Sequence, residues 1–174
     1  MRKYILVLLV LFVVTGGTAL FSQAVKGTVQ AQLILKIITI DRNFSRFGDP
    51  IKIGVTSDTM LKAFKTHLGM KVKGKAFLPE LINTLEDIGK YQIVYIDNNW
   101  KNNYKAACEV ASKGRVLMFA ASHKAVERSE AAIAFMTIKG KPKIVLNLGL
   151  VKEQGTDFPA HLLQLTMVVG AVND

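Results

Sequence analysis

Three histidines and one cysteine are the side chains in this sequence best able to hold a metal or attack a substrate. His67, His123 and His161 lie too far apart to form a ligand pair on one element, and the sequence contains no CxxC or HExxH motif. Zinc sites depend on such spacings, so we expect no metal. Cys108 shares a predicted helical stripe with Trp100 and Tyr104. That pattern is typical of core packing rather than of a nucleophile.

Other catalytic patterns are also weak. No serine lies in a GxSxG elbow, and the close carboxylate pairs, Glu86/Asp87 and Glu127/Glu130, are typical of solvated surfaces. Residues 69–76 (GMKVKGKA) match a phosphate-binding loop except at Ala76, which lacks the hydroxyl needed for the metal. A helix precedes this stretch and a strand is predicted after it, which is the reverse of the order such a loop requires. We therefore expect no enzyme activity and no cofactor.

Two polar segments follow predicted buried strands and are the better candidates for function. Asp97 to Trp100 follows one strand, and Ser122 to Glu130, with charges of both signs, follows another. Ligands of open α/β sheets bind beyond the carboxyl ends of strands. The alternative is two ordinary solvated loops. The predicted partner-binding residues are Asn98, Asn99, Trp100, Ser122, His123, Lys124 and Arg128.

The elements that would position these segments centre on residues 114–150. Apolar and β-branched runs at 116–120, 131–138 and 142–148 alternate with polar clusters, which predicts three consecutive strands. Gly140-Lys141-Pro142 is short enough to join the last two as a hairpin. Alternation of strands and helices elsewhere predicts an α/β fold, a single-domain three-layer sandwich with a mixed, largely parallel sheet and this late antiparallel hairpin.

The remaining elements follow from hydrophobic periodicity and from Gly, Pro and capping residues. Strands are predicted at 51–56, at 71–77 (a lysine-rich edge strand) and at 91–96. Helices are predicted at 28–44, from Ser57 or Asp58 to Gly69, from Pro79 to Gly89, from Asn98 or Asn99 to Gly114, and at 158–169.

The N-terminus is predicted to be a signal peptide. Arg2-Lys3 precede an apolar run from Tyr4 to Val14, and Ser22-Gln23-Ala24 has the small-x-small pattern of a cleavage site. The run is short for the roughly twenty residues that span a bilayer, which disfavours the alternative of an uncleaved anchor. Cleavage after Ala24 leaves 25–174 as one domain. Because Cys108 is the only cysteine, an exported chain of this kind indicates a bacterial periplasm.

The chain is basic, with a formal net charge of +10 that falls by two when Arg2 and Lys3 are removed. This charge favours acidic partners such as membrane surfaces or acidic protein faces. Nucleic acid is the other usual partner of basic chains, but an exported protein meets little of it. We expect no nucleic-acid binding.

The order of sequence blocks resembles the YfiR-like family of exported bacterial proteins over nearly the whole mature length. The blocks similar to family segments are VKGKAF, YQIVYI, VLMFAAS, AIAFMTIKGKPKIVLNL and HLLQLTMVV. The chain departs from the family at Ala131 to Phe135, where members often carry a Gly-Gly-Met-Ile-Asn-Phe type run, and at Ser122-His123, where an acidic residue is frequent. With Cys108 alone, it cannot share a redox control based on disulfides.

The resemblance implies a periplasmic regulator without catalytic activity, which binds the sensor region of an inner-membrane diguanylate cyclase or histidine kinase. Through a cyclase it would lower cyclic-di-GMP signalling and biofilm formation. The alternative is a small periplasmic ligand-binding protein, because the same α/β rim could hold a small molecule. A homodimer is a further candidate assembly.

Overall fold

A computed structural model describes residues 25–170, and its centre is one seven-stranded sheet. The strand order is β2-β1-β3-β4-β5-β6-β7, and every neighbouring pair is parallel except β5 and β6. The strands are β1 Ile51–Val55, β2 Phe77–Leu81, β3 Ile93–Ile96, β4 Leu117–Ala120, β5 Ile133–Ile138, β6 Lys141–Asn147 and β7 Met167–Val169. The predicted α/β class and its largely parallel sheet are confirmed.

Helices cover both faces of the sheet. They are α1 Gly27–Ile40, α2 Asp58–Lys65, α3 Tyr104–Gly114, α4 His123–Glu127, α5 Leu148–Glu153 and α6 Ala160–Leu163, with short 3-10 helices at Phe44–Arg46, Glu86–Lys90 and Asn98–Asn103. No helix within residues 25–170 is both long and apolar enough to cross a membrane. The predicted signal peptide, residues 1–24, lies outside the described residues.

Alternate residues of the strands supply two hydrophobic layers, because successive side chains point to opposite faces. On one face Ile93 and Tyr95 pack in a cluster that includes α1 and α2. On the other face Val94 and Ile96 pack in a cluster that includes α3 and α4. All four residues of β3 are buried, as are those of β4, which is the reason both strands read as unbroken apolar runs. The result is the predicted three-layer sandwich.

The late hairpin also forms, but its turn lies one residue earlier than predicted, because Lys141 and Pro142 belong to β6. Its turn is Lys139-Gly140, both with positive φ (49° and 74°), and Ile138 pairs with Lys141. Two central residues with positive φ match the right-handed twist of the strands, and glycine takes such a conformation without strain.

The prediction for residues 71–89 is wrong. The start of the predicted edge strand forms a tight turn instead. In this turn Val72 and Lys75 pair through their backbones, with Lys73 and Gly74 between them. The edge strand is β2, and it includes Pro79, which was predicted to start a helix. Proline is tolerated there because, among the strands of residues 25–170, only β1 pairs with β2, so one side of the β2 backbone needs no ladder hydrogen bond. Only Glu86–Lys90 is helical, as a 3-10 turn.

The predicted final helix at 158–169 is also wrong. Helix α6 ends at Leu163, and β7 follows as a parallel neighbour of β6. The run Met167-Val168-Val169 favours a strand, and pairing with the exposed side of β6 outweighs the apolar pattern that indicated a helix.

Candidate functional site

The chain reverses its direction across the sheet at β1. From β1 it continues to β2 on one side, and it then returns to place β3 on the other side. The segments that leave the carboxyl ends of β1 and β3 therefore separate, and a crevice opens between them. Such switch points are where ligands bind in open α/β sheets.

A cavity of about 400 Å³ occupies this position. We call it the switch-point crevice. Its lining is mostly hydroxyl, amide and carboxylate groups, with one indole ring. The lining residues are Thr56, Ser57, Asp58, Thr59, Leu81, Ile82, Asn83, Asn99 and Trp100.

Asp97 connects the two sides of the switch point. Its carboxylate accepts hydrogen bonds from the Ser57 hydroxyl (2.8 Å) and from the Asn98 backbone N–H (2.5 Å), while its own N–H donates to Thr56 Oγ1 (2.8 Å). Asn99 Nδ2 donates to the Thr56 carbonyl at 2.9 Å. Within residues 25–170, no cationic side chain forms an ion pair with Asp97. This carboxylate is thus held by neutral donors alone.

Tyr104 links the switch point to the segment after β4. Its hydroxyl lies 3.1 Å from Asn98 Oδ1, to which it donates. Burial, and then the negative charge of Asp97, raise the pKa of Tyr104 to about 12, while hydrogen bonds with the Ser122 and Ala121 backbones oppose the shift. The phenol therefore stays protonated at neutral pH and remains a hydrogen-bond donor.

The predicted partner-binding residues divide into two groups. Asn99 and Trp100 line the switch-point crevice, and Asn98 adjoins it through Asp97. Ser122, His123, Lys124 and Arg128 lie instead on or beside α4, beyond Tyr104. The predicted linker is therefore a short helix, anchored by buried Ala125 and Val126. Lys124 and Arg128 are exposed, and Arg128 pairs with Glu130 at 2.7 Å. We call the seven predicted residues together the carboxyl rim.

Sequence reasoning missed most of the crevice lining. Thr56, Ser57 and Asp58 form a polar run directly after a buried strand, which is the same signal that identified Asp97 to Trp100. Leu81, Ile82 and Asn83 gave no usable signal, since that stretch was predicted to be helical. Tyr104 was assigned only to core packing, although its hydroxyl reaches the rim.

A second, larger cleft of about 540 Å³ lies at the opposite, amino edge of the sheet. Its residues include Asn43, Arg46, Gln92, Arg115 and Gly155. Arg46 donates to the Arg115 carbonyl (2.7 Å) and to Thr156 Oγ1 (2.8 Å), and its guanidinium stacks on Phe47. Arg46 thus joins the loop after α1, the end of α3 and the loop after α5.

The remaining chemical candidates have structural explanations. Burial raises the pKa of Cys108 to about 11, so the thiol is protonated at neutral pH and is a poor nucleophile. Residues 69–76 are followed by a strand, not a helix. Residues 25–170 contain no group of three His, Cys, Asp or Glu side chains placed to hold a metal ion.

The fold and its edge define a class of protein: a small α/β domain whose parallel sheet opens a polar crevice at its switch point. Residues 28–166 match the family model described as YfiR/HmsC-like, and the chain belongs to that family. The resemblance in the order of the sequence blocks is thereby confirmed. A search of curated proteins finds no match.

Solved structures similar to this chain share its fold at low identity. They include a conserved domain protein from Vibrio cholerae (TM-score 0.58, 14% identity, covering 82% of this chain and 60% of that one). An ABC domain in complex with L-Trp from Streptococcus pneumonia has a TM-score of 0.57 at 13% identity, with coverages of 80% and 60%. A ligand-free, open substrate-binding protein with adhesive properties from Clostridium difficile has a TM-score of 0.53 at 14% identity, with coverages of 83% and 60%. The chain therefore spans about three fifths of each.

Proposed function

We propose that this chain is an exported periplasmic regulatory protein. It binds the periplasmic sensor region of an inner-membrane signalling protein, a diguanylate cyclase or a histidine kinase, and modulates its output. The observation that carries the proposal is the family match over residues 28–166. In this proposal the signal peptide is cleaved after Ala24, residues 25–174 act as one domain, and no catalytic step is involved.

We further propose that the carboxyl rim contacts the sensor. Regulation of this kind requires only that the protein bind one conformation of the sensor more tightly than another. The rim offers exposed charges at Lys124 and Arg128, exposed amides at Asn98 and Asn99, and a half-buried indole at Trp100. Aromatic and arginine side chains of this type commonly supply much of the binding energy at protein interfaces.

A pull-down with residues 25–174 from detergent-solubilised membranes of the source organism tests the proposal. We expect mass spectrometry to recover a membrane cyclase or kinase, and the Lys124→Ala/Arg128→Ala variant to recover much less. The matched control is Lys141→Ala/Lys143→Ala, which removes the same charge from exposed positions on the hairpin. Equal loss in both variants would point to bulk charge, and recovery of no sensor would refute the proposal.

The alternative, a small periplasmic ligand-binding protein, is favoured by the switch-point crevice. Its volume of about 400 Å³ suits a small molecule, and its polar lining offers both donors and acceptors. Two of the proteins with a similar fold are described as bound to L-Trp or as a substrate-binding protein.

Trp100 provides a direct test of the alternative, because it is the only tryptophan in the chain and lines the crevice. Native mass spectrometry of the purified protein should detect a retained small molecule, and its addition to stripped protein should change the Trp100 emission. A retained molecule with no effect on Trp100, or none at all, would count against ligand binding in the crevice.

A further inference from the structure

The stretch from within α2 to the start of β2 carries charge of one sign. Between Asp58 and Glu80 the sequence has five lysines and one histidine but no acidic residue. The lysines are Lys62, Lys65, Lys71, Lys73 and Lys75. The ion pairs found within residues 25–170 include none of them. Their positive charges are therefore not neutralised by an acidic side chain of the described residues; Lys73 and Lys75 lie over the Phe44 ring, at 5.0 and 5.3 Å from its centroid.

The end of this stretch, residues 67–75, is largely exposed, and we call it the basic tip. Leu68, Gly69, Met70 and Lys71 are exposed in succession, with Leu68 at 53% and Met70 at 51% of their full exposure. A side chain added at Gly69 or at Gly74 would meet nothing within 4 Å. Two large apolar side chains thus stand in solvent beside lysines.

The basic tip has a fixed shape despite its exposure. Val72 is buried, and its N–H and carbonyl bond reciprocally with Lys75 at 2.8 and 3.1 Å. Lys75 Nζ also donates to the Phe47 carbonyl, and the Ala76 N–H donates to Asp49 Oδ1 at 2.9 Å. Since the backbone of the turn is anchored, little backbone entropy is lost when its exposed side chains bind.

The basic tip lies at the amino edge of the sheet, immediately before β2 begins. His67 Nε2 lies 3.4 Å from the Thr28 carbonyl, so the tip adjoins the first turn of α1, next to exposed Lys26. The carboxyl rim is at the opposite edge. A surface bound by the tip would leave the rim free.

We propose that the basic tip docks the protein on an anionic phospholipid bilayer. The lysines lie against lipid phosphates, and Leu68 and Met70 enter the boundary between headgroups and acyl chains. A bilayer offers negative charge at its surface with hydrocarbon directly beneath, which matches apolar side chains flanked by lysines. An acidic protein supplies the charge but would need a separate apolar pocket for Leu68 and Met70. The inference goes beyond the proposed binding of a sensor.

Sedimentation of residues 25–174 with vesicles tests the inference without any sensor protein. We expect binding to vesicles of phosphatidylcholine mixed with phosphatidylglycerol, and little binding to phosphatidylcholine alone. Lys71→Gln/Lys73→Asn should weaken binding by roughly twenty-fivefold, because each lysine near an anionic surface contributes roughly fivefold. Asparagine suits position 73, where φ is 46°.

Two matched variants separate the tip from general charge and stickiness. Lys101→Gln/Lys113→Gln removes the same charge from exposed positions on the α3 side, and Leu165→Ala removes an apolar side chain that is 66% exposed near the other end of the sheet. Both should bind nearly as wild type, whereas Leu68→Ala/Met70→Ala should lose the binding that persists at high salt. Each variant is first checked for an unchanged melting temperature.

Three results would overturn the inference. Equal losses in the tip and control variants would mean that only net charge matters. No sedimentation with the mixed vesicles would exclude lipid docking outright. In the third result, soluble polyglutamate competes with the vesicles as strongly as added lipid does, while the Leu68→Ala/Met70→Ala variant binds unchanged. That result would assign the basic tip to an acidic protein partner.

Discussion

Each edge of the sheet is organised by an aspartate, and the two carboxylates are held differently. Asp41, at the amino edge, is 1% exposed; its Oδ1 accepts from the Asn43 and Asp157 N–H groups at 2.9 Å, and its Oδ2 lies 3.7 Å from Arg46 Nε. Asp97, at the carboxyl edge, is only partly buried and has no cationic partner within the described residues.

The difference separates a structural site from a candidate binding site. At the amino edge, Asp41 and Arg46 form a buried ion pair and tie three segments of chain together, although Asp41 Oδ2 and Arg46 Nε make no hydrogen bond. At 3.7 Å the contact is an ion pair rather than a hydrogen bond. At the carboxyl edge, the charge of Asp97 is stabilised only by neutral groups beside an open crevice. A cationic or hydrogen-bonding partner can still approach this edge.

Replacing Asp41 with alanine should have the largest effect on stability. The change leaves Arg46 without its counter-charge and removes the acceptor of two backbone N–H groups, so we expect a loss of about 3–5 kcal/mol in the free energy of unfolding. Urea denaturation measures it. Burial lowers the pKa of Arg46, and the negative charge of Asp41 opposes that shift.

The adjacent surface pair is the control. Arg42 and Asp157 lie 3.5 Å apart, with side chains 61% and 48% exposed. Solvent screens such a pair, and Arg42→Ala should cost less than about 1 kcal/mol. Similar losses for Arg42→Ala and Asp41→Ala would mean that the amino edge is not held by its buried pair.

Replacing Asp97 with alanine should cost less, about 2 kcal/mol, through loss of the charged acceptor for Ser57 and Asn98. Its partly exposed position lets water replace some of these bonds. The same urea titration compares it with Asp41→Ala. Asp97 joins the two sides of the switch-point crevice, so Asp97→Ala should also shift the Trp100 emission. Asp41→Ala should leave the emission of the folded state unchanged. A larger stability loss for Asp97 than for Asp41 would reverse the comparison.

The sequence predicts the centre of this fold well and its two margins poorly. The central strands β3 and β4 are buried on both faces and read as short apolar runs, which leaves few alternatives. Residues 77–81 and 167–169 are edge strands, and their state depends on a neighbour that the local pattern does not reveal. Pro79 and the apolar stretch before Val169 therefore indicated helices where pairing across the sheet produces strands.

The candidate site was predicted only in part for a similar reason. Asn99 and Trp100 are in the crevice because polar residues after a buried strand lie at its carboxyl end. Thr56 and Ser57 are also polar residues directly after a buried strand. They face Asn99 because β1 and β3 are neighbours in the sheet, which the local sequence does not reveal. The ion pair of Asp41 and Arg46 lies close in sequence, yet its burial depends on the loop near Asp157, which is distant in the chain.

Ser57 and Ser122 provide the smallest and most discriminating test of the carboxyl edge. In the structure both serines precede a helix after a strand, and serine is a favourable N-cap residue at such a position. In the structure Ser57 Oγ accepts from the Met60 N–H at 3.3 Å and donates to Asp97, whereas the Ser122 side chain makes no capping hydrogen bond to α4. Ser57→Ala should therefore cost about 1 kcal/mol in urea denaturation and Ser122→Ala less than about 0.5 kcal/mol. Equal costs would show that the hydrogen bond to Asp97 adds nothing, and that the crevice side of this edge is no better ordered than the α4 side.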